Sequence, residues 1–216
     1  MNLSRLTFIL LLIVLCIARW SAEPDYIINN LGVSDTRVSP TVLKVAAGHL
    51  PGLVADFQIL DVFSLYGMHE RTEFESFGAL LYHDLQMASL LDPQFKDIYR
   101  LASSLLVFDA GMPEEAVMLL QTGTKAIPNS WESPFFGGFI AAHHLHDYEL
   151  GYSLMRQASL REGSPPAAVI LAARYLKHHS GKGDAMMFLQ GMSEVMPKKY
   201  TKGIEAEMHK LSIQGE

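Results

Sequence analysis

The sequence predicts an all-α protein of stacked helical hairpins, an α-solenoid, and three observations carry that prediction. Four prolines, Pro93, Pro128, Pro165 and Pro197, divide the second half of the chain into segments of 35, 37 and 32 residues. A period near 34 is that of a helix-turn-helix repeat, and proline suits the loop between hairpins because it cannot continue a helix. A shift of 35 residues then superposes Leu101-Ala102-Ser103 on Phe136-Gly137-Gly138 and on Leu171-Ala172-Ala173, with apolar Leu105, Ile140 and Tyr175 four residues after the first of each triplet. Finally, 49% of the 216 residues are apolar and only 19% charged, with strand signals scarce, which suits one continuous helical core.

Taken in order, residues 1–22 read as an export or anchoring segment. Arg5 precedes an apolar run from Leu6 to Ala18 that ends at Arg19-Trp20-Ser21-Ala22. A core this short fits a secretory signal, but cleavage after Ala22 would put Trp20 at −3, where a small residue is expected. Counted from Leu3 to Trp20 the run could just span a bilayer as a signal-anchor, with Trp20 at the interface. Both alternatives place the remainder outside the cytoplasm. The sole cysteine, Cys16, lies in this segment after Leu15 rather than a small residue, which argues against lipidation, and the exported body can form no disulfide. Residues 23–39, with Pro24, Asn29, Asn30 and Gly32, read as a linker.

Residues 40–216 form the helical domain. Ser39-Pro40 starts a short helix to about Ala47, Gly48 and Pro51-Gly52 interrupt, and Leu53 to Tyr66 resumes. Glu73 to Leu91 is a long helix that ends at Asp92-Pro93. Helix pairs follow at 94–109 with 113–126, 133–145 with 147–160, and 166–179 with 184–196. The pair 53–66 and 73–91 makes a divergent fourth repeat, and an amphipathic last helix, 199–212, caps the open end. Ala116, Gly151 and Ala185 open the second helices with small residues, followed by Leu119-Leu120, Leu154-Met155 and Phe188-Leu189. Small residues let helix backbones approach and the large ones close over them, so a Leu at Gly138 should overpack the crossing.

A bulky-then-small pair in the first helix, a small residue opening the second and a proline about 12 residues later together resemble the tetratricopeptide pattern over roughly 93–197. Ala116 to Pro128 and Ala185 to Pro197 match that last spacing, and Gly111-Met112-Pro113-Glu114-Glu115-Ala116 resembles its inter-helix turn. The interval between the small residues of the two helices departs from the consensus of about 12: it is 14, 14 and 13 residues (102 to 116, 137 to 151, 172 to 185). The segment 48–66 with Leu91-Asp92-Pro93-Gln94-Phe95 is similar to membrane-anchored helical-repeat proteins of bacterial envelopes. These resemblances imply a non-catalytic scaffold at the inner membrane, with its helical domain in the periplasm and a protein or peptide partner. A cleaved, soluble periplasmic form is the alternative location.

No catalytic constellation accompanies the repeats. The run His143-His144-Leu145-His146-Asp147 matches no zinc motif, and no cofactor or metal site is expected. His143-His144 and His178-His179 nevertheless lie 35 apart, so they fall on one edge at the carboxyl ends of first helices, where the helix dipole favours them. A metal- or small-ligand-binding role for that edge is one alternative function, and a purely structural oligomer subunit is the other. Asp56 is placed in the first turn of its helix, Trp131 is a candidate surface anchor, and Gly181-Lys182-Gly183 is a helix-helix turn. Without residues 1–22 the chain holds 15 basic against 23 acidic residues, a net −8, which excludes nucleic acid as the expected partner. Acids gather in 53–97 and bases in 174–210. A partner-binding groove would be walled by first helices, through exposed Arg100, Ser104, Phe139 and Arg174. Ser104, Phe139 and Arg174 are again 35 apart and line up a hydroxyl, a ring and a guanidinium.

Overall fold

The structure, a computed structural model, describes residues 40–68 and 74–213, and among them there is helix and no strand. Ten helices follow one another: α1 (Pro40–Ala47), α2 (Pro51–Met68), α3 (Phe74–Leu91), α4 (Lys96–Leu101), α5 (Pro113–Ala126), α6 (Glu132–His144), α7 (Tyr148–Ser159), α8 (Ala167–Ser180), α9 (Lys182–Val195) and α10 (Lys198–Ile213). Helix α4 runs on without a break as a π-helix, Ala102–Asp109. The anchoring segment 1–22 and the linker 23–39 lie outside the described residues. Within the described residues no helix is long and apolar enough to cross a membrane.

The punctuation behaves as its chemistry demands. Pro93, Pro128, Pro165 and Pro197 all fall in loops, after α3, α5, α7 and α9. Pro51 differs: with Gly52 it forms the first turn of α2 instead of interrupting, because the first helical position needs no amide hydrogen. Asp56 consequently sits in the second turn, exposed, and not in the first as the sequence suggested. Each later helix packs on its neighbours in sequence, α5 on α6, α6 on α7, α7 on α8 and α8 on α9, and α10 packs on both α8 and α9.

Small residues make the crossings. Ala102, Gly137, Ala172, Ala116, Gly151 and Ala185 are all buried. The α6–α7 crossing brings backbone against backbone: a β-carbon at Gly138 would stand 2.9 Å from the Gly151 carbonyl oxygen and 2.9 Å from the Met155 amide nitrogen. Apolar side chains close around these contacts, from Ile59, Val62, Leu81 and Leu85 through Leu106, Leu120 and Ile140. Met155, Ala168 and Ala172 continue the core, which ends at Val169, Leu189, Ile204 and Leu211. Side chains also tie the loops to neighbouring elements. Arg161, between α7 and α8, donates to the carbonyls of Ser130 and Thr124, the latter at 3.1 Å, and Tyr200 Oη donates to the Ser164 carbonyl at 2.8 Å. Burial lowers the pKa of the Arg161 guanidinium.

Candidate partner-binding face

The three first helices, α4 with its π extension, α6 and α8, carry the candidate residues at repeating positions. Ser104, Phe139 and Arg174 are all exposed, as the 35-residue row requires. One helical turn further on, Phe108, His143 and His178 form a second exposed row at the same interval. Sequence reasoning had the histidines of this row but missed Phe108, which the same 35-residue shift would have found. Phe108 is 70% exposed, against 37% for Phe139.

Ring contacts join the rows. Phe139 lies against His143 with centroids 4.4 Å apart, and His143 meets the edge of Tyr175 at 5.8 Å. Tyr148 stacks on His178 at 4.7 Å and 17°, and Phe108 meets His144 edge-on at 5.7 Å. Tyr175 itself is buried, and its hydroxyl makes no hydrogen bond. Burial, and less strongly the neighbouring Tyr148, raise the phenol to about 12 against the partial relief of Arg174, so Tyr175 stays neutral at physiological pH. The face thus offers flat rings for contact, with imidazoles beside them.

The two arginines are committed to partners within the chain. Arg100 donates to Asp97 at 3.0 Å and to Glu132, at the start of α6, at 2.8 Å. Arg174 donates from Nε and Nη2 to the two carboxylate oxygens of Glu207 on α10, at 2.6 and 2.9 Å. The Glu207 side chain is 7% exposed and that of Arg174 48%, so this pair is a strut between α8 and α10 as much as a surface charge. The hydrogen bonds from Arg174 hold the Glu207 carboxyl below the usual carboxylate range. Ser104 spends its hydroxyl on the carbonyls of Arg100 and Leu101, both at 3.2 Å. Of the four residues expected to bind a partner, Arg100, Ser104 and Arg174 thus have their polar atoms engaged within the chain, and Phe139 offers an apolar ring.

Other candidates resolve simply. His143 and His144 close α6, and His178 and His179 lie in the last turn of α8, where a basic side chain suits the helix dipole. Among the described residues no three histidine, cysteine or carboxylate side chains converge to hold a metal ion. Trp131 is half-buried before α6, its ring edge-on to Phe135 at 5.6 Å. Gly181 with Lys182 and Gly183 makes the α8–α9 turn. A scan against protein-family models and a search of curated proteins find no match to the chain.

Proposed function

We propose that this chain is a non-catalytic, tetratricopeptide-like solenoid, tethered to a bacterial inner membrane through residues 1–22. Its first-helix face binds an extended protein segment in the periplasm. The observation that carries this reading is the pair of parallel rows, Ser104–Phe139–Arg174 and Phe108–His143–His178, exposed at a constant 35-residue interval on successive first helices. An extended chain lying across such a face meets a similar position in each hairpin, and rigid aromatic rings supply contact area at little entropic cost. What supports the reading over a catalytic one is that His143, His144 and His178 lie against aromatic rings.

The test uses the full-length chain purified from its native membrane. Replacing Phe108 and Phe139 together with Ala should abolish recovery of the groove-bound partner, while the melting temperature moves by no more than about two degrees, as exposed substitutions usually do. Arg174→Glu is not a suitable probe, since it would set a second carboxylate against Glu207 and disturb the fold itself. A partner retained by the double alanine variant would sink the assignment of this face.

A further inference from the structure

Helix α2 has two apolar faces and a use for one of them. Ala55, Ile59 and Val62 are buried, and α2 packs on α3. On the opposite side Leu53, Phe57 and Leu60 follow one another at intervals of four and three residues, a single stripe along the helix. Leu50 extends it at one end, Phe63 flanks it, and Val45 of α1 lies close in sequence. All six are at least half exposed. Taking a large side chain at about 200 Å², they present roughly 700 Å² of apolar surface, more than the largest patch of an ordinary monomer.

We infer that this face is a self-association surface, at which α1 and α2 pack on the same elements of a second copy of the chain. Three observations select that occupant. A standard interface buries about 800 Å² per partner, so the patch is the size that a two-fold dimer needs. An isologous contact requires a face complementary to itself, and a stripe at alternating three- and four-residue spacing packs against its own copy as in a coiled coil. A lipid surface would instead call for Lys or Arg along the rim, whereas among the described residues of α1 and α2 Asp56 and Asp61 flank the stripe and Lys44 is the one basic side chain. The two ends of the array also differ: at the carboxyl end α10 covers α8 and α9 with Tyr200, Ile204 and Leu211. A partner copy gives the amino end the equivalent cover.

Thiol cross-linking of the full chain in its native membranes tests the inference. With Cys16→Ser removing the only native thiol, Phe57→Cys treated with a short bismaleimide should give a band of twice the chain mass. That band should be at least fivefold stronger than the one from Met187→Cys, an exposed position on α9. Adding Leu60→Asp should reduce it at least fivefold with unchanged helical circular dichroism. A Phe57→Cys yield no greater than that of Met187→Cys overturns the inference. So does a Phe57→Cys thiol shielded from a water-soluble maleimide without a dimer band, which would assign the face to the bilayer or to residues 1–39. A product of any other mass would assign it to a different protein and equally refute self-association.

Discussion

Glu207 is a buried acid, and its contact with Arg174 does most to keep it charged there. Two hydrogen bonds from Arg174 compensate for lost hydration, and Lys210 at 3.8 Å adds a weaker attraction. The folded carboxyl therefore titrates below its unfolded value. A depressed carboxyl contributes stability that is present above the unfolded pKa of about 4.3 and lost as pH falls through the folded value. Glu207→Gln should accordingly cost about 1–2 kcal/mol at neutral pH, the worth of charge-assisted hydrogen bonds with a half-exposed partner. It should also flatten the loss of stability between about pH 5 and pH 3. Urea unfolding of both proteins across that range checks it, and parallel pH curves would contradict the role assigned to the pair. Nothing in the sequence pointed to it. The partners lie 33 residues apart on different helices, outside any local motif, and Arg174 alone read as a free surface cation.

At the scale of elements, an irregularity in the sequence becomes a turn geometry. The interval between small residues is 14, 14 and 13, and the structure places the odd residue in the turn that ends the first helix. After the first hairpin helix, the Ala110 amide donates to the Leu105 carbonyl and that of Met112 to Leu106; after the second, Leu145 donates to Ile140 and Asp147 to Ala141. These wide i→i−5 and i→i−6 closures recur 35 residues apart. After the third, Gly181 donates to Lys177 in the ordinary i→i−4 pattern, and the turn is shorter. All three turns reverse at a positive φ, at Gly111 (66°), His146 (56°) and Gly181 (100°), again 35 apart. His146 is the exception in chemistry: a side chain in the left-handed region costs about 1–2 kcal/mol, partly offset because glycine loses more backbone entropy on folding. His146→Gly should raise stability by up to about 1 kcal/mol, read as a higher urea midpoint at unchanged m. Gly138→Ala should act in the opposite sense, costing about 1–3 kcal/mol by overpacking, since its β-carbon meets backbone atoms at 2.9 Å that cannot rotate away. A Gly138→Ala protein as stable as the parent would mean that α6 and α7 can separate freely. The positions of the helices were legible because apolar spacing and proline recur; the width of the turns was not, since backbone closures leave no residue-type signature beyond one glycine.

Across the whole described body, most of what was legible follows from periodicity, and apart from Phe108 what was missed breaks it. The exposed rows on the first helices could be placed by a shift of 35 because repetition fixes their direction. The outward stripe of α2 could not, since a helix with apolar residues on two opposite faces reads as core until its neighbours are known. The cover at the carboxyl end was legible from the amphipathic run 199–212, and its contribution can be separated from that of the repeats. Tyr200, Ile204 and Leu211 are buried against Val169, Ala173, Leu189 and Met192, and Tyr200 also bonds the Ser164 carbonyl. Ending the chain after Pro197 would remove the part of that core that α10 supplies and leave Arg174 without its carboxylate. Burial of three large side chains is worth about 1.5–3 kcal/mol each, and the entropy of ordering a 16-residue helix offsets much of it. A net loss of about 2–4 kcal/mol should lower the melting temperature of the truncated protein by roughly 5–15 °C. Tyr200→Phe, which removes a single hydrogen bond, should cost only about 1 kcal/mol. In a nearest-neighbour array the loss should also be local, so hydrogen exchange should quicken in α8 and α9 before it does in α3 or α5. A truncated chain that melts with the parent would show that α10 is no cap, and uniform acceleration along the chain would argue for one cooperative globule in place of a solenoid.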